Sequence, residues 1–229
     1  MLLIMKKYIP NSITCLNLFS GILGVIAAYN AAYEMALLFV MLSAIFDFLD
    51  GFMARALKAY SDIGKELDSL SDLISFGLVP GMVAFSLLQP LNVYCMALPY
   101  VGFLLTIFSA LRLAKFNIDE NQKTSFVGLA TPANALFWTG FAYTVPADLQ
   151  NSCVTLILVL LFSYLLVSSF PMFSLKIHSL KWAENKERYI FLIGCVVLLA
   201  CFQLDAFAII ILWYLIMSLG KVLVEKLKH

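Results

Sequence analysis

The fold class predicted by the sequence is all-α: a polytopic integral membrane bundle of about eight transmembrane helices, with both termini cytoplasmic. Three observations carry that prediction. Of 229 residues, 62% are hydrophobic and 13% charged, with a mean hydropathy of +0.94, outside the range of soluble domains. Apolar runs long enough to cross a bilayer, roughly 17–25 residues, recur along the chain. Lysine and arginine gather on alternate connections between those runs, the pattern that marks cytoplasmic loops. The formal net charge is only +1, so nothing in the charge balance points to a nucleic acid. The whole chain, 1–229, reads as a single membrane domain in a cell membrane.

The eight spans are expected at about 12–32, 33–57, 64–88, 94–116, 129–146, 152–175, 187–203 and 205–224. The opening M-L-L-I-M-K-K-Y-I-P-N has neither the n-region nor the cleavage site of a signal peptide, so the first run is expected to stay as a span. Lys6 and Lys7 precede it. Arg55, Lys58 and Lys65 lie between spans two and three, and Arg112, Lys115 and Lys123 between four and five. Lys176, Lys181, Lys186 and Arg188 lie between six and seven, and Lys221, Lys226 and Lys228 end the chain. The opposite connections carry only Glu34, Asp148 and Asp205. Pro80-Gly81, Pro99 and Pro171 fall inside spans and are expected to kink them.

Other residue types argue for bland roles. Cys15, Cys95, Cys153, Cys195 and Cys201 form no C-x-x-C pair and read as small buried hydrophobes. His178 and His229 form no metal-binding pattern. Most tyrosines near the predicted interfaces, Tyr60 among them, and Trp182 fit an aromatic belt. Ser69, Ser71 and Ser75 are expected to bond helix to helix.

One segment is not bland. From Asp47 the chain reads D-F-L-D-G-F-M-A-R, then eight residues, then G-K-E-L-D-S-L-S-D. Asp47, Asp50, Asp68 and Asp72 lie in or against apolar sequence, where each charge costs roughly 2.5–3.5 kcal/mol on insertion scales. Asp47 and Asp50 are spaced i,i+3, and Asp68 and Asp72 i,i+4, so each pair shares a helix face. The linker from Arg55 to Gly64 is too short to recross the membrane. Spans two and three must then form an antiparallel hairpin with both acid pairs at its cytoplasmic end. Oxygen-only ligands suit Mg²⁺, Mn²⁺ or Ca²⁺, and four carboxylates are enough for two ions. Gly51, Ala54 and Gly64 leave room for a ligand near the backbone, and Arg55 can pair with phosphate. Asp62 and Glu66 fall off these registers and read as solvated. A cation transporter would also use intramembrane acids, but it would spread them along a path, and spans six to eight carry almost none.

These residues resemble the signature of the CDP-alcohol phosphotransferase family, D-x-x-D-G-x-x-A-R-x8-G-x3-D-x3-D. Asp47, Asp50, Gly51, Ala54, Arg55, Gly64, Asp68 and Asp72 fill all its fixed positions. The resemblance implies a six-helix core over about 8–175, with about 187–224 as an added two-helix hairpin. It implies transfer of a phosphatidyl group from a CDP-linked lipid to an alcohol, with release of CMP. It further implies metal on Asp47, Asp50 and Asp68, with Asp72 as the base and a further ligand, and a homodimer.

Three more segments resemble the phosphatidylserine synthase branch. One is Pro10-Asn11-Ser12-Ile13-Thr14 with Asn17-Leu18 and Gly21. The second runs from Gly64 through Leu70 to Ser75-Phe76-Gly77. The third runs from Ser109 through Arg112 and Lys115 to Asn117, followed by Phe126-Val127-Gly128-Leu129 and Thr131-Pro132-Ala133. Lys115 stands where arginine is commoner, and Ala130 where proline is. The implied substrates are L-serine and CDP-diacylglycerol or CDP-archaeol. Asn11 and Thr14, with Gly51, Ala54, Arg55 and Gly64, are the expected CDP contacts. Arg112, Lys115 and Asn117 are the expected serine or phosphate contacts. Glycerol 3-phosphate, inositol or inositol phosphate remain alternative acceptors.

Overall fold

The computed structural model describes residues 2–118, 128–146, 151–172 and 182–227, and is all-helical apart from turns and one isolated bridge. Lys123, Asp148, Lys176, His178, Lys181 and His229 lie outside the described residues. Helix α1 (Leu2–Tyr29) turns through Asn30–Ala32 into α2 (Tyr33–Ala56). Ala31 takes a left-handed φ of 54° there, and Ala32 N–H bonds to Ala27 C=O at 2.9 Å. The two helices pack side by side as a hairpin.

Helix α3 (Asp62–Asp72) begins at a proper N-cap: Ser61 is extended and its hydroxyl accepts from Gly64 N–H at 3.1 Å, an arrangement typical of helix starts. The helix does not stop at Asp72. It passes through a π-helical turn, Leu73–Leu78, into α4 (Val79–Leu88). Short 3₁₀ turns at Gln89–Val93 and Leu98–Phe103 lead to α5 (Leu104–Ile118). Then follow α6 (Thr131–Thr144), α7 (Ser152–Val167), α8 (Trp182–Phe202) and α9 (Ala206–Leu227). Gln203, with φ 50°, breaks the last apolar stretch, and α8 folds back against α9.

Among the described residues, five stretches are long and apolar enough to cross a membrane: Tyr8–Tyr29, Tyr33–Ala56, Asp62–Val93, Leu98–Ile118 and Asn185–Val222. Ser152–Val167 is a shorter apolar helix. Several expected boundaries shift. The first helix starts at Leu2, so Pro10 lies inside it. The expected span 152–175 ends as a helix at Val167, so Pro171 follows a helix and kinks none. Pro99 opens a 3₁₀ turn, and Pro80 sits at the start of α4. At Pro99 a missing N–H costs least, whereas Pro80 lies inside the continuous helix, just past the π turn.

The interior has two characters. One side is apolar: Trp138, Phe137 and Phe162 are at most 2% exposed, with the Phe137 and Phe162 rings stacked at 4.1 Å. The other side, where α1, α2 and α3 meet, buries Thr14, Asn17, Ser20, Ser43, Asp50, Ser71 and Ser75. Small residues let the backbones close in, as membrane helices require. A Cβ on Gly21 would fall on the Ser75 hydroxyl and 2.8 Å from Ser75 Cα. The five cysteines are unpaired, as expected, but four of them are exposed on the outer surface and only Cys195 is partly covered.

Candidate active site

The end of α2 and the body of α3 bring three carboxylates together. Oxygens of Asp47, Asp50 and Asp68 all lie within 4.8 Å of one another. Asp50 is 6% exposed. Its Oδ2 accepts a 2.6 Å hydrogen bond from Thr14 Oγ1. Asp68 Oδ1 is buried without any hydrogen-bond partner, which is costly for a charged oxygen. Among the described residues no lysine or arginine forms an ion pair with this trio. Three hard oxygen donors, mutually repelling, with one buried atom unsatisfied, fit a divalent cation.

Asp72 stands outside that oxygen cluster, though near enough to interact electrostatically with all three members. It accepts a 3.2 Å hydrogen bond from Asn17 Nδ2. Asn17 Oδ1 in turn accepts from Ser75 Oγ at 2.8 Å. Ser71 Oγ donates to Thr14 C=O at 3.1 Å. Ser71 and Ser75 thus bond helix to helix, as expected. Asn17 is the site residue that residue chemistry alone missed. The signal was available: Asn11, Thr14 and Asn17 recur every third position in an apolar helix, which puts three polar groups on one stripe.

A cavity of about 220 Å³ opens beside the carboxylates. Asn11, Thr14, Gly51, Ala54 and Gly64, all expected as nucleotide contacts, line it together with Asp50 and Asp68. Lys65 and Tyr60 line it as well and were not expected there. The lack of a side chain at Gly64 is needed: a Cβ would lie 2.9 Å from both Asn11 Oδ1 and Ser61 Oγ. Arg55 is exposed and folds back over Gly51, its Nη1 3.7 Å from where a Cβ would stand.

The third segment divides. Arg112 is partly buried, its Nε has no hydrogen-bond partner, and it interacts electrostatically with Asp72 and with Tyr214 of α9. Asn117 is engaged elsewhere: its Nδ2 donates to Ser69 Oγ at 2.7 Å, and its carbonyl accepts from Lys65 Nζ at 3.1 Å. It straps α5 to α3. Lys115 is exposed, and neither it nor Asn117 lines the cavity. Asp62 and Glu66 are exposed, as their registers predicted.

Comparison with known proteins agrees with this geometry. Residues 7–219 match the family described as CDP-alcohol phosphatidyltransferase. A CDP-diacylglycerol–serine O-phosphatidyltransferase of Bacillus subtilis is 35% identical over 185 residues, covering 79% of this chain and 97% of the relative. Its namesake in Methanocaldococcus jannaschii is 35% identical over 154 residues, 67% of this chain and 69% of the relative. An archaetidylserine synthase of Methanothermobacter thermautotrophicus is 33% identical over 138 residues, 59% and 58% of the two chains. With the eight signature positions gathered at the α2–α3 hairpin and the family match spanning nearly the whole sequence, the chain belongs to the CDP-alcohol phosphatidyltransferase family.

Proposed function

We propose that this membrane enzyme transfers a phosphatidyl or archaetidyl group from a CDP-linked lipid to the hydroxyl of L-serine, releasing CMP. The observation that carries the reading is the trio Asp47, Asp50 and Asp68 beside a cavity lined by Asn11, Thr14 and Gly64. The relatives named for serine transfer support the acceptor.

The residues divide the work as follows. Asp47, Asp50 and Asp68 hold divalent metal, with two ions, Mg²⁺ or Mn²⁺, as the expected complement and Asp72 as a further ligand. Such ions supply charge to phosphoryl oxygens during an in-line displacement. Thr14 fixes Asp50 by its 2.6 Å bond. Asn17 holds Asp72, and Asp72 takes the proton of the serine hydroxyl, since an alcohol attacks at neutral pH only with such help. The serine oxygen bonds to the lipid-side phosphorus as the bond from that phosphorus to CMP breaks. Asn11 and Thr14 contact the cytidine part, and Gly51, Ala54 and Gly64 let the nucleotide approach the backbone. Arg55 and Arg112 bind anionic oxygens. For Arg112 these belong to the serine carboxylate or the donor phosphate. Lys115 adds a diffuse positive charge at the helix end.

The same reading places the site and both termini on the cytoplasmic side of a cell membrane, where serine and CMP exchange with water. It takes eight spans, six as the core and α8–α9 as an added hairpin, and a homodimer.

The test is an acceptor panel. Purified protein is given CDP-diacylglycerol or CDP-archaeol with Mg²⁺ or Mn²⁺, and CMP release is read with serine, glycerol 3-phosphate, inositol or inositol phosphate. Release with serine alone is expected. Release with another acceptor moves the assignment within the family, and no metal-stimulated release with any of them would favour a transporter. Arg112→Ala is expected to raise KM for serine about tenfold or more, and KM for the CDP-lipid by much less. An equal rise in both would assign Arg112 to the phosphate or to packing.

A further inference from the structure

Tyr60 belongs to the short connection between α2 and α3, outside the fixed positions of the signature. Its place is set from both sides. Lys58 adopts a left-handed φ of 51°, which turns the chain back. Ala59 is 5% exposed, and its N–H bonds to Ala54 C=O at 2.9 Å. On the other side Ser61 is the N-cap of α3. Tyr60 is thus the single residue between a buried anchor and a helix cap. Its own side chain is 67% exposed and makes no hydrogen bond or ring contact among the described residues.

An exposed tyrosine on a membrane protein is usually an interfacial anchor. This one lines the cavity that holds Asn11, Thr14, Asp50 and Asp68. It also lines a second, wider cavity of about 580 Å³, whose other walls are Ser61, Asp62, Ile63 and Lys65. Tyr60, with Ser61 and Lys65, borders both. An amide-bearing wall at Asn11 and a flat, unoccupied aromatic ring on a pinned backbone are the two elements a nucleobase site needs. The amide pairs with the base edge, and the ring covers the base face.

We infer that Tyr60 is the stacking platform for the cytosine ring of the CDP-lipid and of the CMP product. The inference rests on the proposed transfer reaction and adds to it the residue that grips the base. The phosphates lie toward the carboxylates, and the base lies outward over Tyr60. Stacking is indifferent to which base is presented, so the choice of cytosine falls to hydrogen bonding at Asn11.

The test compares wild type, Tyr60→Phe, Tyr60→Trp and Tyr60→Ala in the full-length purified protein. Base–aromatic stacking is worth about 1–3 kcal/mol on alanine substitution, or about 5- to 150-fold. Tyr60→Ala is therefore expected to weaken CMP binding, measured by calorimetry with Mg²⁺ present, within that range. KM for the CDP-lipid should rise in parallel while KM for serine stays put. Phe and Trp should remain within about threefold of wild type. CMP affinity in Tyr60→Ala equal to wild type would overturn the inference and return Tyr60 to the aromatic belt. So would an equal loss with Phe, or a matching rise in KM for serine. Wild type that neither binds CMP nor releases it from CDP-lipid would sink the transfer reading itself, and this inference with it.

Discussion

Asp68→Asn is expected to abolish CMP release and to weaken Mg²⁺ or Mn²⁺ binding by more than about 100-fold. Even groups that only support a metal ligand are worth about 10–100-fold in affinity, and Asp68 faces the cluster directly. Asparagine keeps the shape and removes the charge. The Asp68 oxygen that has no partner would then be an amide atom, with little to offer a hard cation. A second measurement separates this from misfolding. Three carboxylates within 4.8 Å repel one another, so in EDTA the variant should melt at or above the wild-type temperature. What should vanish is the rise in melting temperature when Mg²⁺ or Mn²⁺ is added, because a ligand that binds only the folded state stabilises it by mass action. Glu66→Gln, at an exposed position two residues away, should leave both readouts unchanged. Wild-type turnover in Asp68→Asn would remove the metal site from the mechanism.

Gly21→Ala should cost more than any other single methyl group at the polar seam. The added carbon would land on the Ser75 hydroxyl and 2.8 Å from Ser75 Cα. Side-chain rotation relieves the first contact but not the second. Helix α1 must then move away from the π turn, and overpacking of this kind costs about 1–3 kcal/mol. The same movement pulls Asn17 from Ser75 and from Asp72, two bonds of 2.8 and 3.2 Å. The expected result is a lower melting temperature together with at least a tenfold loss of kcat, and no rescue by Ser75→Ala. Gly220→Ala is the control, since nothing lies within 4 Å of its added carbon. A Gly21→Ala protein with normal stability and turnover would show that the α1 contact does not hold the site.

Much of this site was legible in the sequence because its chemistry is local. The i,i+3 and i,i+4 spacings put Asp47, Asp50 and Asp68 on converging helix faces, and a connection of eight residues forced the hairpin. Loop charges and apolar run lengths carried the helical membrane class. What was not legible depends on partners far apart in sequence. Asn17 meets Asp72 across 55 positions, and no spacing rule reaches that far. The resemblance made Asn117 an expected serine or phosphate contact, and its amide donates to Ser69, 48 positions earlier. Tyr60 looked like one more interfacial aromatic until the turn at Lys58 put it beside the cavity. The cysteines were misjudged for a different reason. In a bilayer the outer surface is as apolar as the interior, so hydrophobic surroundings do not imply burial.

The π turn at Leu73–Leu78 has a consequence for how this segment tolerates change. A π turn is an α-helix carrying one residue too many. Removing one residue between Leu73 and Leu78 would let the helix regain regular pitch while the stretches on either side keep their present faces. In a regular α-helix the same deletion has no such slack and rotates everything beyond it by about 100°. What changes at the turn is local: it holds Ser75, Phe76 and Gly77, all buried, and closing it would shift Ser75 against Asn17, to which it now bonds. The turn is thus spare length in this helix, and a scan of single-residue deletions from Asp62 to Leu88 should find Leu73–Leu78 the stretch whose loss spares the fold most while still lowering turnover.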